Sequence, residues 1–223
     1  MKYNYVTVEG CIGAGKTTLA ERLSADFNAQ IVLERFVNNP FLAKFYADKE
    51  HYAFPLEMTF LIDRYQQLKT MLSQRDLFTN LVISDYFIDK CRIFSKNNLQ
   101  EDEYNLYMNV YSIMASLLPK PDIILYLHNS IDQLLKNIAH RGREYEQNMS
   151  PDYLRSIQSA YMSYFQHLNN IPILIVDTHE LDFVKNERDY QYLKSLLEND
   201  YHKGVTTILP NEDESYIKFR NTV

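Results

Sequence analysis

The sequence predicts an α/β protein in which a parallel β-sheet is covered by helices on both faces. Short apolar runs of strand length alternate along the chain with longer segments of helical periodicity. Such alternation favours parallel strands joined by helices. A glycine-rich loop also separates the first apolar run from the first helical segment. The five predicted strands are Val6–Val8, Gln30–Leu33, Leu81–Ser84, Ile123–Leu127 and Ile173–Val176.

The glycine-rich loop fits the phosphate-binding pattern G-x-x-x-x-G-K-[ST]. Glycines allow the tight turn that points N–H groups at a phosphate chain, and the helix that follows adds the positive end of its dipole. Lys16 supplies a charge for the β- and γ-phosphates, and the Thr17 hydroxyl supplies a ligand for Mg²⁺. We therefore predict that the chain binds a nucleoside triphosphate through Gly10, Cys11, Ile12, Gly13, Ala14, Gly15, Lys16, Thr17 and Thr18.

The composition argues against several classes of protein. A net charge of −6 is unlike that of a dedicated nucleic-acid binder, which is normally basic. Cys11 and Cys91 give no disulfide framework, and the six histidines show no metal-ligand spacing. We expect no signal peptide, because the N-terminus enters a strand at once, and no apolar run approaches the ~20 residues of a membrane span. We therefore expect a cytoplasmic protein with neither a nucleic-acid nor a membrane partner.

Two carboxylates follow predicted strands. Glu34 comes after the second strand and Asp85 ends the third, and open α/β sheets bind their ligands at the carboxyl ends of strands. In phosphate-loop enzymes a carboxylate placed like Asp85 holds Mg²⁺ directly or through water. An ordinary helix cap is the alternative for Asp85, since aspartate caps are frequent.

Helices are predicted between the strands, several of them with clear start signals. Asn39 is suited to cap a helix that has Pro40 in its first turn, and Ser150 one that starts at Pro151. Periodicity is lost from Asp200 onward, which predicts a domain over residues 1–199 and a tail over 200–223. Longer helices are predicted at Thr18–Phe27, Phe54–Leu72, Asp102–Leu118 and Asn186–Asn199.

Two arginines that bracket a glycine end the helix after the fourth strand. Arg141 and Arg143 at this position suit a clamp on a transferring phosphate. Taken alone, the same pattern fits an exposed basic helix terminus.

Taken together, these motifs resemble the deoxynucleoside kinases, the family that includes deoxycytidine, deoxyguanosine and deoxyadenosine kinases. The likeness runs from about Tyr5 to Val176 and is closest to the short bacterial members. It implies a P-loop kinase fold with a five-stranded parallel sheet, an arginine-bearing lid and a homodimer packed through helices. The implied activity is the ATP- and Mg²⁺-dependent phosphorylation of a deoxynucleoside 5′-hydroxyl in nucleotide salvage.

The resemblance also implies roles for individual residues. Glu34 would be the general base that takes the proton from the 5′-hydroxyl. Arg141 and Arg143 would be the lid arginines, acting with Lys16 on the phosphates. Tyr46 and Glu146 match the tyrosine and glutamate that hold the sugar 3′-hydroxyl.

At the base-binding positions the chain departs from the family pattern. Glu57 and Arg64 fall where the family places a glutamine and an arginine that contact the base. A glutamate offers only acceptors, which suit the N–H groups of guanine or the amino group of adenine. Cys91 stands where some members carry an aspartate. Together these changes favour a purine deoxynucleoside as the substrate. The alternative is that Glu57 pairs with Arg64 and makes no direct contact with the base.

A second departure lies after the third strand. The family usually has Glu/Asp-Arg-Ser there, whereas this chain has Asp85-Tyr86-Phe87 and so lacks the arginine. Lys90 lies four residues beyond Tyr86, which would place both on one helix face. We hypothesise that Lys90 or a lid arginine supplies the missing charge, although lysine lacks the bidentate fork of arginine.

Two other functions stay open at this point. A thymidylate-like nucleoside monophosphate kinase would need extra arginines near the acceptor, and only Arg35 and Arg64 are candidates. A nucleotide-binding module without catalysis is supported only by the missing arginine.

Overall fold

A single parallel sheet of six strands organises the protein in this computed structural model, which describes residues 2–35, 39–73 and 81–210. The strand order is β2-β3-β1-β4-β5-β6, and each adjacent pair is parallel. Helices flank the sheet, as the alternating pattern predicted. The strands are β1 (Tyr5–Gly10), β2 (Gln30–Val32), β3 (Val82–Ser84), β4 (Ile123–His128), β5 (Pro172–Asp177) and β6 (Gly204–Ile208).

The prediction of five strands is wrong by one. β6 pairs with β5 in parallel register, from Pro172 opposite Gly204 to Val176 opposite Ile208. This strand lies in the segment that we predicted as a tail. It is an edge strand whose residues, apart from Ile208, are only half-buried, so it carries no strong apolar pattern. Residues 211–223, the rest of the predicted tail, lie outside the described residues.

Helix boundaries differ from the predictions mainly near prolines. The third helix begins five residues before Phe54, so Pro55 lies inside it, whereas Pro40 precedes the second helix altogether. Ser150 and Pro151 start the seventh helix as predicted. The helices are α1 (Lys16–Phe27), α2 (Leu42–Ala47), α3 (Lys49–Ser73), α4 (Lys90–Asn98), α5 (Glu101–Ala115), α6 (Ile131–Arg141), α7 (Pro151–Gln166) and α8 (Glu187–Leu196).

The central strands are buried on both faces, and their carboxyl ends converge on one edge of the sheet. All six residues of β1 and the first five of β4 are buried, as expected for a parallel sheet covered on both sides. The glycine-rich loop follows β1, Glu34 follows β2 and Asp85 follows β3. The fold thus brings the predicted loop and both carboxylates to the same edge. Within the described ranges, no helix has the length and apolar character of a membrane span.

Candidate active site

The loop between β1 and α1 has the backbone that phosphate binding needs. Gly13 and Gly15 have φ angles of 85° and 86°, a left-handed conformation that favours glycine. A Cβ atom at Gly13 would lie 2.7 Å from the backbone oxygen of Leu134, and one at Gly15 would lie 2.7 Å from the Phe183 ring. The loop is therefore closely packed by α6 and by the segment after β5.

Lys16 is the first residue of α1 and lies at the end of this loop. Its Nζ donates a hydrogen bond to the backbone oxygen of Cys11 at 2.9 Å. Loss of hydration, and then the nearby charge of Lys90, lower the pKa of Lys16 to about 8. An anionic phosphate would reverse this shift, because an opposite charge favours the protonated amine.

Thr17 and Asp85 meet beside the loop. The Thr17 hydroxyl donates to Asp85 Oδ2 at 2.6 Å, while the backbone N–H of Glu34 donates to Asp85 Oδ1 at 2.7 Å. Burial, followed by the charge of Glu34, raises the pKa of Asp85. Asp85 is not a helix cap, because α4 begins only at Lys90 with Asp89 in the cap position.

This donor set fits Mg²⁺. Among the described residues, no group of three or more His, Cys, Asp or Glu side chains could hold a metal ion alone. Magnesium, however, typically uses one or two carboxylates together with waters and substrate phosphates. The Thr17 hydroxyl and the Asp85 carboxylate provide hard oxygen atoms of this kind next to the phosphate loop.

Glu34 lies between two buried cations. Arg64 donates to Glu34 Oε1 from Nε at 2.7 Å and also from Nη2, and Lys90 Nζ donates to Oε2 at 2.6 Å. Both cations are 4% exposed. Burial alone would raise the pKa of Glu34, but the charges and hydrogen bonds of Arg64 and Lys90 outweigh it and hold the pKa well below its usual value. Glu34 is therefore a carboxylate at neutral pH.

Tyr86, which replaces the family's arginine, lies outside this cluster. Its hydroxyl donates to Gln67 Oε1 at 2.9 Å, and Gln67 Nε2 donates to the backbone oxygen of Leu33 at 2.6 Å. Tyr86 thereby steadies the backbone just before Glu34. The expectation that Tyr86 and Lys90 share a helix face is wrong, since α4 starts at Lys90.

The predicted lid residues form a separate charged group. Arg141 and Arg143 both pair with Glu146, the latter at 3.2 Å. Gly142, with φ of 74°, ends α6 and turns the chain into this segment. Tyr46 stacks on the neighbouring Tyr145 with ring centroids 5.9 Å apart.

Glu57, in α3, is 2% exposed. Asn98 Nδ2 donates to Glu57 Oε1 at 2.7 Å. Arg64 makes no hydrogen bond to Glu57, because its nitrogens donate to Glu34 and, at 3.1 Å, to Cys91 Sγ. The alternative in which Glu57 pairs with Arg64 is therefore wrong.

The sequence analysis missed three polar residues around the site. Asn98 lies at the end of α4 and bridges Glu57 and Tyr153. Glu9, fully buried in β1, accepts hydrogen bonds from the Tyr161 hydroxyl at 2.8 Å and from the backbone N–H of Phe87 at 3.2 Å. No sequence signal identified Asn98 or Tyr153, whereas a glutamate inside an apolar strand could have drawn attention to Glu9.

The residues predicted to bind the substrate line one cleft. It encloses about 780 Å³, its open mouth included. Every residue predicted to bind the substrate lines it, together with Ile12, Lys16, Thr17, Arg141 and Arg143. The predicted substrate residues are Glu34, Tyr46, Glu57, Arg64, Asp85, Lys90 and Glu146.

Comparisons with known proteins identify the family of this chain. The family model described as "Deoxynucleoside kinase" matches residues 6–201. "Deoxyguanosine kinase" of Bacillus subtilis (strain 168) is 36% identical over 191 residues, which cover 84% of this chain and 92% of that protein. "Deoxyadenosine/deoxycytidine kinase" of the same organism is 27% identical over 205 residues, with coverage of 90% and 94%.

A solved structure is similar throughout the fold. Deoxyadenosine kinase from M. mycoides with bound dATP superimposes with a TM-score of 0.74 at 26% identity, covering 87% of this chain and 98% of that one. The chain therefore belongs to the deoxynucleoside kinase family, and it is a phosphotransferase.

Proposed function

We propose that this enzyme transfers the γ-phosphoryl group of ATP to the 5′-hydroxyl of a purine deoxynucleoside in nucleotide salvage. The observation that carries this proposal is the position of Glu34. It is a half-buried carboxylate held by Arg64 and Lys90, and its own backbone N–H contacts Asp85 beside the phosphate loop.

Glu34 acts as the general base. Phosphoryl transfer has a loose transition state, so the base needs to orient the hydroxyl and accept its proton as the bond to phosphorus forms. The low pKa of Glu34 keeps it ionised for this role, and its two cationic partners fix its position.

The phosphates are bound by the loop and the lid. Incoming phosphate oxygens replace the Cys11 carbonyl as the partner of Lys16, and the loop's N–H groups contact them. Arg141 and Arg143 stabilise the charge on the transferring group. Thr17 and Asp85 hold Mg²⁺, which neutralises charge on the β- and γ-phosphates when it is bound.

The nucleoside occupies the remainder of the cleft. Tyr46 and Glu146 hold the 3′-hydroxyl of the sugar, while Glu57 faces the base. Since Glu57 presents acceptors, a purine with N–H groups on its edge is the preferred substrate. The names of the relatives, which include deoxyguanosine and deoxyadenosine kinases, support this preference.

A panel of acceptors tests the proposal. ADP release with ATP and Mg²⁺ is measured for each of the four natural deoxynucleosides and for their 5′-monophosphates. We expect kcat/KM to be highest with the purine deoxynucleosides. Turnover only with a monophosphate, or with pyrimidine deoxynucleosides alone, would contradict the proposal.

We also propose a homodimer that packs through α5. Three apolar side chains are exposed at α5: Leu106 by 56%, Ile113 by 68% and Leu117 by 64%. The spacing of seven residues places Leu106 and Ile113 on one side of the helix, and Leu117 follows four residues later, just beyond its C-terminal end. Exposed apolar surface of this kind marks protein contacts.

Substituting Ile113→Asp should convert the dimer to a monomer, because a charge would be buried without a partner at the contact. Light scattering coupled to gel filtration measures the mass. Val184→Asp is the control, since Val184 is 54% exposed and belongs to the segment between β5 and α8, not to α5. A wild-type monomer, or dissociation in the control, would contradict the proposed contact.

We expect the protein to work in the cytoplasm, where its two free cysteines stay reduced.

A further inference from the structure

Glu57 has an oxygen atom without a hydrogen-bond partner. While Oε1 accepts from Asn98, Oε2 is buried and has no partner in the described part of the chain. A buried polar atom left unpaired is costly. Because Glu57 lines the cleft that we propose for the nucleoside, a donor on the base is the group suited to pair with Oε2.

Arg64 and Asn98, two polar neighbours of Glu57, already make hydrogen bonds. Each guanidinium nitrogen of Arg64 donates to Glu34 or Cys91, and Asn98 Nδ2 donates to Glu57 itself and to the Tyr153 hydroxyl. Since Glu57 retains an unpaired acceptor, we assign it the main contact with the edge of the base.

The two protonation states of a carboxyl group match different bases. A carboxylate has only acceptors, which suit the adjacent N1–H and 2-amino donors of guanine. A neutral carboxylic acid has one donor and one acceptor. It suits adenine, where the 6-amino donor lies beside the N1 acceptor, and it also pairs with guanine through O6 and N1–H, whereas a carboxylate has no donor for the N1 acceptor of adenine.

We propose that Glu57 selects the purine through its own charge: as a carboxylate it binds guanine and disfavours adenine, and as a neutral acid it admits adenine. This inference rests on the proposed function, because it assumes that the base of a deoxynucleoside lies against Glu57.

The surroundings of Glu57 allow both states near neutral pH. Burial raises the pKa of Glu57 to about 7, against the lowering effects of the Asn98 hydrogen bond and the Arg64 charge. The charge of Glu34 raises the pKa and that of Lys49 lowers it. The remaining titratable groups that interact with Glu57 have raised pKa values and stay neutral in this range; they are Cys91, Tyr107 and Tyr153.

The first test measures proton exchange on binding. Calorimetric titrations of the wild-type protein with deoxyguanosine and with deoxyadenosine, near pH 7 and in buffers of different ionisation enthalpy, give the protons exchanged. At a pH equal to the pKa, deoxyadenosine should take up about half a proton per site, and deoxyguanosine should release up to about half. Groups that respond equally to both nucleosides cancel when the two proton counts are subtracted.

The second test measures specificity. The ratio of kcat/KM for deoxyguanosine to that for deoxyadenosine should increase about 10-fold per pH unit as Glu57 ionises, levelling off on either side of the transition. Glu57→Gln, which has a fixed donor and acceptor, should lower this ratio by about 10–100-fold and make it independent of pH. Glu50→Gln, an exposed glutamate on the same helix, should leave the ratio and its pH dependence unchanged.

The outcomes separate this inference from the proposed function. Phosphorylation of deoxynucleosides with no difference in proton exchange, and with a purine ratio that is constant with pH, would overturn the inference alone. Failure of the wild-type protein to bind either purine deoxynucleoside would overturn both.

Discussion

Substituting Glu34→Gln should lower kcat by about 10²–10⁴-fold, the usual contribution of a general base. Glutamine keeps the shape of the side chain but removes the negative charge and the ability to accept the proton. It also weakens the charge-assisted hydrogen bonds from Arg64 and Lys90, which should lower the free energy of unfolding by about 1.5–3 kcal/mol. ATP binding should persist, because the hydrogen bonds of the Glu34 carboxylate go to Arg64 and Lys90 and not to Lys16 of the phosphate loop.

Steady-state kinetics and ATP titration of the folded variant measure these effects. Glu21→Gln makes the same chemical change on the exposed surface of α1 and should leave kcat unchanged. A Glu34→Gln enzyme that keeps kcat within about threefold of the wild type would contradict the assignment of Glu34 as the base.

Substituting Lys90→Met should lower kcat by about 10–100-fold, equivalent to the loss of one charge-assisted hydrogen bond. Methionine retains the bulk of the side chain but leaves Glu34 with Arg64 as its cationic partner. The pKa of Glu34, which Lys90 helps to depress, should therefore rise. Because the carboxylate is the active form, activity should be lost at a higher pH than in the wild type as the solution is acidified.

The pH profile of kcat/KM distinguishes this positioning role from simple loss of stability. Lys90→Arg should restore part of the activity and the original acid limb, because it restores the positive charge. Lys96→Met, at an exposed position on the same helix, is the matched control. An unchanged acid limb in Lys90→Met, or full activity, would show that Lys90 does not supply the charge missing at Tyr86.

The sequence predicted those parts of the site that depend on local pattern. The phosphate loop needs a fixed spacing of glycines, lysine and threonine, and the buried strands on either side are apolar, so both were recognisable. Glu34 and Asp85 were located because each directly follows such a strand. Five of the six strands were found for the same reason.

Contacts between distant elements could not be predicted in this way. Lys90 was proposed from its spacing to Tyr86, but it reaches Glu34 because α4 begins there and points its first residue into the cleft. A pairing of Arg64 with Glu57 was the alternative that the sequence offered, whereas the ion pair of Arg64 with Glu34, a residue thirty positions away, became evident only from the distances. Asn98 and β6 were missed because neither has a local signal; each is defined by what packs against it.

The most direct test of the proposed reaction is to follow ATP, Mg²⁺ and deoxyguanosine with the wild-type enzyme by phosphorus NMR. The account predicts that a deoxynucleoside 5′-monophosphate resonance grows in equal amount with ADP. Formation of ADP with inorganic phosphate in place of the monophosphate, or phosphate attached at the 3′-oxygen, would contradict it.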